Sequence, residues 1–213
     1  MLQRKYSIIK KLCTTGRILD VGCGTGEFLN TMQNRGWDVT GVEPSSAAKA
    51  RAEKLLQKQL FTTVDELSEN GYDVITMWHV LEHIGGLNEV ITKLRSLLKP
   101  GGLLCVAVPN YHAYDAQKYG SGWAGYDVPR HLWHFTINSM TGFLENNRFN
   151  LLQTIPMKLD AYYVSLLSEK LINPDKPITN YLRALYSGIL SNLKARKTSN
   201  YSSLIFLARL KPN

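Results

Sequence analysis

The chain has no uninterrupted run of about 18 apolar residues, so nothing in it reads as a membrane-spanning helix. Its opening stretch, Met1-Leu2-Gln3-Arg4-Lys5-Tyr6, lacks the apolar segment and small-residue cleavage site of a secretory signal, which predicts a cytoplasmic location. Cysteine is scarce and odd in number: Cys13, Cys23 and Cys105 form no C-x-x-C pair, so a disulfide framework and a thiolate zinc site are both excluded in favour of reduced, structural thiols. H-E-x-x-H is missing, as are the extra acidic ligands at strand ends that a magnesium site would need, and no metal is expected. Internal repeats and low-complexity stretches are absent as well. Acidic residues are outnumbered, 17 against 25 basic ones, giving a formal charge of +8. Such an excess attracts nucleic acid, anionic lipid or acidic small molecules. Here the basic residues are scattered, with short clusters only at Arg4-Lys5 and Lys194-Ala195-Arg196-Lys197, which reads as a solvated face.

What is present is a strand–helix alternation over residues 17–108, within a length suited to one core. Arg17–Val21 reads as a short strand followed by a glycine-rich turn and a helix over 27–35. Residues 37–42 give a second strand ending at Glu43, with a helix opening at Pro44-Ser45-Ser46 and running to about Gln59. A weak third strand is predicted at 60–64, a fourth at 72–78, a helix over 87–98, and a fifth strand at 103–108 after the Lys99-Pro100-Gly101-Gly102 turn. The rhythm then breaks. Residues 109–135 form a long connection rich in Tyr, Trp, His and Gly, a length usually reserved for a functional lid or a disordered segment. A helix over 137–147 and a strand over 149–155 resume the pattern, two amphipathic helices over 159–195 interrupt it again, and a strand over 202–210 ends it.

The turn Asp20-Val21-Gly22-Cys23-Gly24-Thr25-Gly26 sits between strand and helix, where backbone N–H groups can approach a nucleotide-like ligand at the positive end of the helix. By itself a glycine-rich turn is a weak signal, because tight turns need glycine for steric reasons. The spacing narrows the ligand. A dinucleotide fingerprint requires Gly or Ala where Glu27 stands, and a phosphate loop requires Lys after Gly26. Glu27 beside the helix start suits a ligand carrying an ammonium group better than a phosphate cluster. Glu43, at the end of the second strand, is placed to accept hydrogen bonds from the two hydroxyls of a ribose, or alternatively to cap the next helix.

On these blocks, Ile18-Leu19-Asp20-Val21-Gly22-Cys23-Gly24-Thr25-Gly26, Gly41-Val42-Glu43-Pro44, Tyr72-Asp73-Val74-Ile75 with Trp78-His79-Val80-Leu81-Glu82-His83-Ile84, and Leu98-Lys99-Pro100-Gly101-Gly102, the chain resembles the class I S-adenosylmethionine (SAM)-dependent methyltransferases. Within them it looks most like the small-molecule subgroup that includes ubiquinone-biosynthesis-type O-methyltransferases, with a further stretch at 127–136. The resemblance implies an α/β, Rossmann-like sheet of seven strands, mostly parallel with an antiparallel last strand and helices on both faces. A single domain over 1–213 then carries a lid at 109–135 and a helical cap at 159–195. It implies that Asp20, Gly22, Cys23 and Gly24 hold the methionine portion of SAM, that Glu43 holds its ribose, and that Pro44 and the loop near Val64 and Asp65, or alternatively Glu66, lie against adenine. Trp78 and His79 would border the sulfonium.

A sulfonium carries its own activation, so the enzyme's main contribution is alignment and exclusion of water. A hydroxyl acceptor gains from a base, and imidazole suits that task at neutral pH. The five histidines are therefore the candidates: His131, His134 and His79 first, then His83 and His112. His131 and His134, three apart, would face one site if their segment is helical; the bland reading is that one of them fixes the lid backbone. His83 is expected to pack at the start of the following helix with Glu82 as its cap. The lid aromatics Tyr111, Tyr114, Tyr119, Trp123, Tyr126 and Trp133 would line an acceptor pocket or pack the lid to the core, and the two cap helices would cover its other side. The function this predicts is methyl transfer to a small molecule, oxygen ahead of nitrogen or carbon, by a monomer or homodimer with at most weak membrane-surface contact. No stable nucleic-acid partner is expected. An RNA methyltransferase and a non-catalytic SAM-binding module are the alternatives.

Overall fold

The computed structural model describes residues 1–68 and 70–211. An N-terminal helix α1 (Leu2–Lys10) precedes β1 (Arg17–Val21), α2 (Glu27–Gln33), β2 (Asp38–Val42), α3 (Ser46–Leu56), β3 (Tyr72–Trp78), α4 (Leu87–Leu97) and β4 (Leu98–Pro109). Then come α5 (Tyr114–Tyr119), α6 (Ile137–Asn146), β5 (Phe149–Pro156), α7 (Asp160–Ile172), α8 (Pro177–Thr198) and β6 (Ser203–Leu210). The strands form one sheet in the order β2-β1-β3-β4-β6-β5. Pairings of β1 with β2 and β3, and of β3 with β4, are parallel, whereas β6 runs antiparallel to both neighbours.

Alternation along the buried strands splits the core in two. Leu19, Ile75, Leu104 and Phe206 point to the face covered by α4 and α6, while Ile18, Val74, Cys105 and Leu207 point to the face covered by α1, α2 and α3. Apolar residues Ile91, Leu94 and Leu97 recur at helical spacing on α4 and seat it on the first face. On the second, Phe28, Leu29 and Met32 do the same for α2.

The sheet has six strands, not seven. The expected third strand at 60–64 reduces to a single parallel bridge between Phe61 and Val42. Thr63 and Glu66 form a reciprocal capping box that turns the chain into a 3-10 turn at Val64–Glu66 before a ladder can extend. The first helix, over 2–10, has no counterpart in the sequence reading; it lacks a side-chain cap and buries only Ile8 and Ile9. Residues 109–135 are also more ordered than a loop. They contain α5 and two 3-10 turns, packed by a small core of Ala116, Tyr119 and Trp123, with Tyr111, Tyr126 and Val164 against it. The lid aromatics thus mostly pack the segment to the molecule.

Asp115 is the knot of that segment. Completely buried, it accepts hydrogen bonds from Trp123 Nε1 (2.9 Å), Ser191 Oγ of α8 (2.6 Å) and Ser202 Oγ just before β6 (2.7 Å). Three elements remote in sequence are joined by one carboxylate.

Candidate functional site

The parallel strands β1, β2 and β3 end on the same edge of the sheet, the edge at which open α/β sheets bind ligands. Along the β1–α2 turn, Gly22, Gly24 and Gly26 all adopt positive φ (71°, 57° and 86°). Gly22 is required twice over, since a Cβ there would collide with the Val80 side chain. At Gly24 a Cβ would meet nothing within 4 Å, so the space above the loop backbone is open for a ligand to approach.

Glu43, at the end of β2, is buried and bridges two elements. Its Oε2 accepts from Gly24 N (2.8 Å) and its Oε1 from Ser45 N (2.9 Å). The helix cap itself is Ser45, whose hydroxyl accepts from Ala48 N. Glu43 therefore ties the glycine loop to the start of α3, and each carboxylate oxygen retains acceptor capacity beyond the one bond it makes. Pro44 follows it and is exposed. Asp65 is exposed in the 3-10 turn, and Glu66 already accepts from the Thr62 and Thr63 N–H groups, which holds its carboxyl below the usual range.

Asp20, at the end of β1, is fully buried and accepts from Thr76 Oγ1 (2.5 Å). Burial raises its pKa to about 7 against the opposing hydrogen bond. Cys23 is pushed up to about 12 by burial and by the nearby Asp20 and Glu43 carboxylates, so its thiol stays protonated. Above this loop lies Lys5 of α1, its ammonium 4.2 Å from the Trp78 ring centroid. Trp78 stacks edge-on against Phe28 (5.4 Å), and its indole N–H is buried without a hydrogen-bond partner.

His79 adopts φ 58°, a left-handed conformation that costs a non-glycine residue about 1 kcal/mol. Its two nitrogens lie 3.3 Å from Glu82 Oε1 and 3.2 Å from Asp160 Oδ2. Burial pulls its pKa down, but the hydrogen bonds and charges of Asp160 and Glu82 outweigh this and hold it at about 9. At neutral pH it is an imidazolium bridging the end of β3 to the start of α7.

These groups open into a chamber of about 590 Å³ bounded by His79, Glu82, Asp127, His131 and Asp160 on its polar side. Leu159, Tyr163, Val164 and Leu167 of the α7 region form its apolar side. His131 Nδ1 donates to Gly125 O (2.9 Å), which fixes the proton there and leaves the lone pair on Nε2, 3.8 Å from Asp127 Oδ2. Burial keeps its pKa below that of an ordinary histidine.

The sequence-predicted residues thus separate into groups. Asp20, Gly22, Cys23, Gly24 and Glu43 come together at the loop, with Trp78 and His79 at the neighbouring strand end. Residues 131–134 are not helical, so His134 does not join His131 in the way helical spacing would allow. His134 is exposed and pairs with Tyr126 O (3.0 Å). It is His83 that stacks on His131, with centroids 4.6 Å apart. His83 Nδ1 pairs with Arg130 O (3.0 Å), so this ring holds the 127–134 segment and does not pack α4. Glu82 is not a cap either: α4 begins at Gly86 without a side-chain cap, and Glu82 is buried at the chamber floor. Glu82, His83 and His131 bring one ligand atom each within 4.8 Å of one another, the one such grouping among the described residues. Glu82 and Asp160 are the site residues that sequence reasoning missed. The spacing of His79 and Glu82, three apart in an otherwise apolar run, was the available signal for the first; nothing local marked the second.

Residues 3–154 match the family model described as a methyltransferase domain. Among curated proteins, the ubiquinone biosynthesis O-methyltransferases of Rhodopseudomonas palustris (strain BisB18) and Bradyrhizobium sp. (strain ORS 278) are each 31% identical over 150 residues. That stretch covers 64% of this chain and 59% of each relative, so the alignment spans about three fifths of their length. Among solved structures, Haemonchus contortus phosphoethanolamine N-methyltransferase 2, in complex with phosphomonomethylethanolamine and S-adenosylhomocysteine, superposes with a TM-score of 0.66 at 17% identity. It covers 99% of this chain and 53% of that one. The cyclase SpnF superposes with a TM-score of 0.67 at 19% identity over 99% of this chain and 81% of its own. A fold shared with a cyclase carries no reaction by itself. With the model spanning the loop, Glu43, the β3 end and the 127–134 segment alike, the chain belongs to the methyltransferase-domain family.

Proposed function

We propose that the protein is a cytoplasmic SAM-dependent methyltransferase that transfers a methyl group to an oxygen of a small-molecule acceptor. One observation carries the reading: the Gly24 N–H and the Glu43 carboxylate hold each other at 2.8 Å, so an open glycine loop and a ribose-type acceptor are locked side by side. The residues suit a sulfonium nucleoside. Asp20, Gly22, Cys23 and Gly24 would hold its amino-acid portion, Glu43 its ribose, and Pro44 with Asp65 the edge of its base, while the unpartnered Trp78 N–H offers a donor beside the reacting centre. When bound, that group supplies an already activated methyl.

The chain's own work is alignment, exclusion of water and proton removal. His131 is the proposed base, because its Nδ1 proton is committed to Gly125 and its Nε2 lone pair is available in the chamber. His79, protonated and clamped between two carboxylates, serves as a strut near the sulfonium, and His134 fixes the Tyr126 backbone. Oxygen is favoured over nitrogen because the curated relatives carry O-methyltransferase names.

Titration calorimetry with S-adenosylhomocysteine and transfer of a labelled methyl to a panel of phenols and catechols test this together. Glu43→Ala is expected to weaken binding about ten- to a hundredfold, the loss of one or two charge-assisted hydrogen bonds. His131→Ala should leave binding intact and slow transfer about a hundredfold or more. Binding without transfer to any acceptor would support a non-catalytic module. Equal loss of affinity in both variants would overturn the division of roles.

A further inference from the structure

Helices α7 and α8 have the polarity of a soluble hairpin turned inside out. The buried face of α8 is small or polar, with Asn180, Ala184, Ser187, Gly188, Ser191 and Ala195, and α7 buries Ala161, Ser165, Ser168 and Glu169. Most large apolar residues of α8 point outward. Along α8, Ile178, Leu182, Leu185, Ile189 and Leu193 recur every three or four positions and are 42% to 78% exposed. The sequence reading set both cap helices over the pocket; in the structure α7 reaches the chamber and the α8 stripe does not line it. Leu159, Tyr163 and Leu171 of the α7 region are exposed as well. At about 1.5 Å per residue the stripe from Ile178 to Leu193 makes a ridge of about 23 Å, too extensive a row to be ordinary scatter of surface leucines.

Charge selects the occupant. Lys170, Lys176, Arg183, Lys194, Arg196 and Lys197 rim this hairpin, all exposed, while its acidic residues Asp160 and Glu169 are turned inward and Asp175 alone is exposed. A second copy of the chain would set one basic rim against another. An anionic bilayer satisfies both the apolar ridge and the rim, and Tyr163, Tyr181 and Tyr186 supply the amphipathic rings suited to its interface. No helix of the described residues is long and apolar enough to cross a membrane, so the hairpin lies on the surface. It falls outside the matched family region, which ends at 154.

We infer that the α7–α8 hairpin is a docking element for anionic membrane surfaces, and that it sets the chamber mouth at the lipid boundary. Leu159 and Tyr163 of the same hairpin are exposed and also line the chamber, which gives an amphiphile held at the docked surface an apolar entrance to it. This second part, a lipid-borne acceptor, rests on the methyltransfer reading; the docking does not.

The test is co-sedimentation of the full chain with phosphatidylcholine vesicles, with and without phosphatidylglycerol, in the absence of donor and acceptor. Expected are sedimentation with the anionic vesicles, release at high salt, and little binding to the neutral ones. Leu182→Gln with Leu185→Gln should lower the partition coefficient about tenfold or more, whereas Leu152→Gln, an exposed leucine on β5, should leave it unchanged. Circular dichroism and unchanged S-adenosylhomocysteine affinity confirm that the variants are folded. Failure to sediment with anionic vesicles overturns the docking. So does a dimer in light scattering that the paired Leu substitutions dissolve, since the ridge would then be a protein interface. Sedimentation, followed by no transfer from labelled donor to a long-chain phenol carried in the same anionic vesicles, would leave the docking standing and remove the acceptor route.

Discussion

The chemistry of the chamber is decided by how its histidines are held. His131 gives its Nδ1 proton to a carbonyl and is kept neutral by burial, so the fraction carrying a Nε2 lone pair is already high near neutrality. The rate at subsaturating acceptor should therefore climb with pH and level off at or below the ordinary imidazole range, near 6.5. A His131→Gln variant should flatten that limb, which a pH–rate profile reads directly. His79 titrates in the opposite sense. Its folded pKa, about 9, exceeds the unfolded value of 6.5, so its contribution to stability is full below about 6.5 and is lost as pH rises through about 9. Urea melts across that window should show stability falling, with a smaller fall in Asp160→Asn, where one of the two partners has lost its charge.

At the scale of elements, the strand ends and their turns were legible in the sequence because their signals are local. Gly22 needs positive φ and a clear path past Val80; Gly24 needs positive φ and an open face. The two glycines should fail differently. Gly22→Ala should destabilise the protein by several kcal/mol because Val80 must move, whereas Gly24→Ala should cost about 1–2 kcal/mol and chiefly block the ligand. Thermal melts and calorimetry with S-adenosylhomocysteine separate the two. What could not be read was anything set by pairing of distant segments. Asp160 meets His79 only because α7 folds back over the β3 end, and helical periodicity on α8 reveals two faces without saying which one is buried. The 60–64 segment misled because Leu60 and Phe61 look like strand residues, while the Thr63–Glu66 box that ends the pairing is a turn signal three residues further on.

The whole molecule is one sheet whose ligand edge is roofed by segments tied to each other more than to the strands. Removing the Asp115 carboxylate as Asp115→Ala would orphan three buried donors on three elements, an expected loss of about 3 kcal/mol or more in chemical denaturation. Loading the donor site should work the other way. S-adenosylhomocysteine at about a hundred times its dissociation constant adds about 2.7 kcal/mol, a rise of about 5–10 °C in the melting temperature for a chain of this size. The same Asp115 knot bears on traffic. With residues 109–135 pinned to α8 and to the entrance of β6, that wall can swing aside only by breaking bonds to Asp115. Widening the chamber for a larger acceptor would fall more easily to the α7 flank, where Leu159 and Tyr163 line it.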